Sequence, residues 1–266
     1  MRGVQTLRYL TPSMFRCKQF TVAQDRCAMK VNTDSLILGS WVNVGSAARI
    51  LDVGTGTGIL ALMMAQKALP SSKIDAIEID DNAAMQAASN FDNAKWSRQL
   101  SVHHCDICQF EPPCLYDLVV SNPPYFDEAL KNTNAYKTQG KARNVARQTS
   151  VLRPDTLFSV SNAVLNEGAS MYCLYPSTLD ADIVQVAETY GLQLQRILYI
   201  KHSKTKPPYL CAFHFIKSSL ASSLHGYKNT QEQNTIVSKN ILTIRNEKGD
   251  YTDEYKALCE PFYLKF

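Results

Sequence analysis

Leu51-Asp52-Val53-Gly54-Thr55-Gly56-Thr57-Gly58 is the stretch whose reading decides the fold. Residues 49–53 form a short apolar run of the kind that makes a buried strand, and the run ends in three alternating glycines. Glycine takes positive φ without strain and lets the backbone approach a ligand closely. The alanine-rich stretch 59–69, stopped by Pro70, then predicts a helix, whose amino terminus favours negative groups. Strand, glycine turn and helix together predict a nucleoside-containing cofactor at the carboxyl end of a parallel sheet. Asp52 narrows the choice. A carboxylate before the turn attracts an ammonium or sulfonium and crowds a pyrophosphate, its plainer role being a turn or helix cap.

Outward from that turn, strand and helix signals alternate, as in a parallel sheet covered by helices. Strands are predicted over 73–79, 99–104, 116–121 and 169–175. Helices are predicted from Asp80 or Asp81 to about residue 90, over 155–165 with Gly168 as a left-handed cap, and over 177–190 closed by Gly191. Two further strands, 193–200 and 209–216, leave no room for a crossover helix, so they form an antiparallel pair at the sheet edge. The polar segment 218–234 reads as a mobile loop, and 253–266 as an aromatic-ending helix. Residues 1–45 are expected to form a cap segment before one domain spanning 46–266.

Composition is consistent with this. Hydrophobic residues at 45% and charged residues at 20% lie in the globular range. No apolar run is long enough for a membrane span, and residues 1–12 lack the apolar core of a secretory signal, so a cytoplasmic protein is expected. Without secretion, the eight cysteines are expected to be reduced. His103-His104-Cys105-Asp106-Ile107-Cys108 invites a zinc reading, but structural zinc commonly needs a second paired motif and none is present; no metal is expected. The net charge of +4 is too mild to prove a nucleic-acid partner. Its distribution is more telling: Lys131, Lys137, Lys141, Arg143, Arg147 and Arg153 form one run and Lys201, Lys204 and Lys206 another, either phosphate contacts or solvated loops.

Two acids continue the cofactor argument. Glu78, about twenty residues past the turn at a strand end, suits ribose hydroxyls. Asp106, after the next strand, can accept from an adenine amino group or simply sit in a surface loop. The chemistry comes from Asn122-Pro123-Pro124-Tyr125, which follows Asp117-Leu118-Val119-Val120-Ser121. Two prolines stiffen the turn. The Asn122 side-chain oxygen and the Pro123 carbonyl can then both accept from one exocyclic NH₂, drawing its lone pair towards an electrophilic methyl. Tyr125 can stack on the flat substrate. The arrangement suits methylation of a planar amino nitrogen; the plain alternative is a Pro-Pro turn with a packed tyrosine.

These residues resemble the class I S-adenosylmethionine-dependent methyltransferases, whose fold would be a Rossmann-like α/β seven-stranded, mostly parallel sheet with a terminal antiparallel hairpin. The stretch from Phe20 through Lys30-Val31-Asn32-Thr33-Asp34 to Leu38-Gly39-Ser40-Trp41 is similar to the amino-terminal signature of the bacterial tRNA1(Val) adenine-N6-methyltransferases. So is the tail from Tyr251-Thr252-Asp253-Glu254-Tyr255 to Pro261-Phe262-Tyr263-Leu264. The resemblance implies methylation of N6 in the adenine 3′ of the anticodon (position 37) of a valine-accepting tRNA. It implies S-adenosylmethionine held by Asp52, Gly54, Gly56, Glu78, Asp106 and Asn122, with Lys30, Thr33 and Asp34 closing its amino-acid end. Asn122, Pro123 and Tyr125 would receive the adenine, and Lys141, Arg143 and Arg147 would contact RNA. The plainer role of the 30–34 segment is a helix start capped by Thr33. The family pattern usually has glycine where this chain has Asn32 and Ser35.

Rival readings carry their own expectations. A release-factor glutamine methyltransferase also suits Asn-Pro-Pro-Tyr but usually has a helical amino-terminal domain, for which 45 residues leave little room. A DNA adenine methyltransferase would carry a larger recognition insertion. A non-catalytic RNA-binding module would not need an intact Asn122-Pro123-Pro124-Tyr125, and a dehydrogenase would need a catalytic dyad that is missing.

Overall fold

The computed structural model describes residues 13–124, 152–218 and 237–266. A two-stranded antiparallel ribbon, β1 (Met14–Arg16) and β2 (Thr21–Ala23), and a helix, α1 (Thr33–Trp41), precede the main sheet. Then come β3 (Arg49–Val53), α2 (Ile59–Lys67), β4 (Lys73–Glu78), α3 (Asp81–Asp92), β5 (Leu100–His104) and β6 (Tyr116–Ser121). The chain continues through α4 (Pro154–Val164), β7 (Leu165–Pro176), α5 (Asp180–Thr189), β8 (Leu192–Ser203), β9 (Leu210–Lys217), β10 (Ser238–Arg245) and α6 (Asp253–Cys259).

The main sheet runs β10-β8-β9-β7-β6-β3-β4-β5, and only β9 is antiparallel to its neighbours. The chain moves from β3 outward to β4 and β5, then returns to lay β6 on the other side of β3. At such a reversal the helices leave on opposite faces, and a crevice opens beyond the carboxyl ends of the strands. The glycine turn after β3 and Asn122 after β6 flank this crevice.

The strands are apolar almost throughout because both faces are covered. Ile50, Leu118, Val120, Tyr172 and Ala212 pack on one face with α1 and α2. Their neighbours Leu51, Val53, Val119, Met171 and Phe213 pack on the other with α4 and α5. The seven predicted strands are all present, and their β8–β9 hairpin is antiparallel as predicted.

Four details differ from the sequence reading. The hairpin is not the sheet edge, because β10 adds an eighth strand parallel to β8, an addition hidden behind the polar stretch before it. Gly168, with φ of 73°, does not cap a helix. β7 starts directly at Leu165, and the glycine lies where register slips, Tyr116 facing Leu165 but Leu118 facing Ser170. The final helix stops at Cys259, short of Pro261, and the last aromatic residues pack on one another, Tyr263 on Phe266 at 4.8 Å. Asn32, not Thr33, caps α1: its side chain accepts from the Ser35 N–H at 2.9 Å. The predicted loop at 218–234 lies outside the described residues save for Ser218.

Candidate active site

The glycine turn is held from below. Asp52, fully buried on β3, accepts through Oδ2 from the Thr55 hydroxyl at 2.6 Å and from the Ala61 N–H at 3.0 Å. Ala61 is in the first turn of α2, whose cap residue Gly58 has no side chain to offer, so Asp52 supplies the missing cap. Its Oδ1 is buried with no protein partner. Burial pushes the carboxyl up to about 7; the bonds from Thr55 and Ala61 oppose the rise and the charge of Glu78 adds to it. Asp52 therefore shapes the turn from beneath.

Gly54 and Gly56 have φ of 71° and 56°, and a β-carbon at either would meet no atom within 4 Å. The space beside them is open, which is what a nucleoside lying on the backbone requires. Gly58 differs, since a β-carbon there would strike the Phe91 ring at 2.5 Å; it serves the packing of α2 on α3.

Glu78 ends β4 and clamps the turn from the side. Its Oε2 accepts from the Gly56 N–H at 2.8 Å, and its Oε1 from the N–H groups of Ile79 and Asp80, each at 2.9 Å. Those bonds hold the carboxylate at the crevice edge and leave acceptor capacity on Oε2. Asp106 follows β5 at the same end of the sheet and accepts from the Cys108 N–H at 2.8 Å. Beside it, His103 pairs with Asp75 at 3.0 Å while His104 reaches the Ile79 carbonyl at 3.2 Å, so the two imidazoles diverge. Among the described residues no three His, Cys, Asp or Glu side chains gather as a metal site would require.

Asn122 leaves the end of β6 with Pro123 buried behind it. Its Nδ2 donates to the Ser35 hydroxyl at 2.9 Å, and its Oδ1 is buried without a protein partner. One end of the amide is fixed and the other is an unfilled acceptor. α1 lies close by: Asp34 accepts from the Tyr209 hydroxyl at 2.7 Å, and Thr33 opens the helix. Lys30 is exposed just before that helix. Tyr125, Lys141, Arg143 and Arg147 lie outside the described residues.

Several residues that sequence reading passed over help build the site. Asn90 of α3 donates to the carbonyls of Ala23 and Thr57 and accepts from the Ala23 N–H, tying the opening ribbon to the glycine turn. Tyr209 joins the β8–β9 turn to α1 and stacks on His202 with ring centres 3.9 Å apart. Ser35 holds Asn122. Nothing local marks any of the three, because each acts on a partner distant in sequence. The β8–β9 turn lies at the carboxyl end of β8, the same end of the sheet as the crevice, and presents Lys204 and Lys206 to solvent.

Comparison with known proteins gives a consistent picture. The family model described as a methyltransferase small domain matches residues 26–171. A curated tRNA1(Val) (adenine(37)-N6)-methyltransferase of Trichodesmium erythraeum is 38% identical over 96% of this chain and 99% of its own. One of the same name from Phocaeicola vulgatus is 38% identical over 94% of this chain and 97% of its own. Among solved structures, a predicted O-methyltransferase from Agrobacterium tumefaciens superposes with a TM-score of 0.59 at 16% identity, covering 85% of this chain and 95% of that one, a likeness of fold.

Proposed function

The chain belongs to the tRNA1(Val) (adenine(37)-N6)-methyltransferase family, and from that membership we propose that it transfers a methyl group from S-adenosylmethionine to N6 of adenine 37 in a valine-accepting tRNA. The observation that carries this reading is likeness over nearly the whole chain, since a shared methyltransferase domain alone would leave the substrate open.

The site geometry agrees with the chemistry. S-adenosylmethionine, when bound, supplies an electrophilic methyl group. Gly54 and Gly56 leave the open backbone on which its nucleoside would lie, Glu78 is the acceptor for its ribose hydroxyls, and Asp106 stands at the next strand end for its adenine. Lys30, Thr33 and Asp34 would close its amino-acid end. For the substrate, Asn122 Oδ1 offers a preorganised acceptor for one N6 hydrogen, and the Pro123 carbonyl would take the other. With both hydrogens held, the nitrogen lone pair is drawn out of conjugation with the ring and towards the methyl group. Preorganised acceptors of this kind act on the transition state without reorganisation cost. Tyr125 would stack on the base, and Lys141, Arg143 and Arg147, with Lys204 and Lys206 at the same end of the sheet, would meet phosphates.

No helix among the described residues is long and apolar enough to cross a membrane. The test is methyl incorporation into valine tRNA, a matched DNA hairpin and purified release factor, side by side, followed by mass spectrometry of the nucleosides. N6-methyladenosine at position 37 is expected in the tRNA alone. Labelling of release factor without tRNA would replace this reading with glutamine methylation.

A further inference from the structure

Resting on the reading of Asn122 as acceptor for the target amino group, we propose that Ser35 is a positioning residue that decides which end of the Asn122 amide faces the substrate. A carboxamide offers an acceptor at one end and two donors at the other, and the two ends have nearly the same shape. Only the oxygen end can hold an exocyclic NH₂ by its hydrogens. Turned by 180°, the same side chain would aim its own N–H groups at those hydrogens and repel the substrate. Shape cannot enforce the choice, so a hydrogen-bond partner must.

Ser35 provides one. Its hydroxyl accepts from Asn122 Nδ2 at 2.9 Å across 87 residues of sequence. The hydroxyl is a fixed point. Ser35 is 7% exposed, lies in the first turn of α1, and has its own N–H bound to Asn32 Oδ1. With Nδ2 anchored there, Oδ1 becomes the free end, buried and without a protein partner. A buried acceptor is costly to leave unmade, and an amino group arriving beside it would satisfy it.

The experiment pairs kinetics with a readout that does not depend on turnover. Ser35→Ala should lower kcat about fivefold to tenfold, the worth of one hydrogen bond. The KM for tRNA and the affinity for S-adenosylhomocysteine should be unchanged. Ser35→Thr, which keeps the hydroxyl, should recover most of that loss. In an Asn122→Ala background, Ser35→Ala should cost nothing further, because the group it positions is gone. Wild-type kcat in Ser35→Ala, or the same fold loss with and without Asn122, would overturn the proposal. In ¹⁵N spectra, the side-chain NH₂ pair that disappears in Asn122→Ala should shift in Ser35→Ala. If that pair does not move, the proposal falls whatever the turnover. A chain that left tRNA unmethylated yet showed this shift would overturn the proposed function and retain the Ser35 contact.

Discussion

Asp52→Asn should remove a pH-dependent cost that the native fold carries beneath its glycine turn. The folded carboxyl titrates at about 7 instead of 3.8, because burial outweighs the two hydrogen bonds that favour the charged form. The unfolded chain releases the proton near the ordinary value. Between those two pH values the folded state binds more protons than the unfolded state, so stability falls as pH rises and levels off above the folded value. A shift of roughly three units at about 1.4 kcal/mol each gives ~4 kcal/mol in all, of which about 2–3 kcal/mol falls between about pH 5 and pH 8. Asparagine cannot ionise. Its side-chain oxygen can still accept from Thr55 and Ala61, so it imitates the protonated acid. The assay is urea unfolding of both chains at constant ionic strength across that range. Other titrating groups, such as His214 held down to about 4 by burial, cancel in the difference. The stability of Asp52→Asn relative to wild type should grow by about 2 kcal/mol from about pH 5 to pH 8. Parallel curves would refute the argument, because they would mean that Asp52 titrates alike folded and unfolded.

Asn122→Ala should slow methyl transfer by about two orders of magnitude, as loss of a preorganised transition-state partner does, while calorimetry shows nearly intact binding of S-adenosylhomocysteine. Glu78→Ala should weaken that same binding by more than about tenfold, since it removes a charge-assisted acceptor and frees the N–H groups of Gly56, Ile79 and Asp80. Lys204→Gln with Lys206→Gln should flatten the dependence of tRNA affinity on salt by about one unit or more of slope, measured by filter binding; an unchanged slope would take the β8–β9 turn out of the RNA surface. Asn90→Leu should lower the melting temperature, because the carbonyls of Ala23 and Thr57 and the Ala23 N–H lose their partner together.

Much of this molecule is decided within a few residues of chain, and that part was readable in order. The run Arg49–Val53 is apolar because both faces of its sheet are covered, and the glycines after it have positive φ that other residues rarely adopt. Asp80 caps α3 with its own side chain, accepting from Ala83 at 2.9 Å, a contact spanning three residues. The Asn-Pro-Pro turn is stiff by covalent geometry alone. Strand, turn, helix and acid at these spacings therefore imply the sheet, the crevice and the cofactor class.

Tertiary structure decided what depends on partners distant in the sequence. Asp52 read as a ligand for a cation or as a turn or helix cap; folding buries it and turns its Oδ2 to Thr55 and Ala61, so the cap contacts are made, because Gly58 brings no acceptor of its own. No periodicity announces that β10 lies outside β8, since parallel pairing is set by where the chain returns to the sheet. Ser35 and Asn122, or Asn90 with Ala23 and Thr57, carry no joint mark in sequence, because a hydrogen bond reports the distance between two atoms and not the number of residues between them. The sequence by itself determined which groups could do the chemistry; only the packing of α1 and α3 against the sheet ends decided which way those groups point, because direction is a property of the neighbours that hold them.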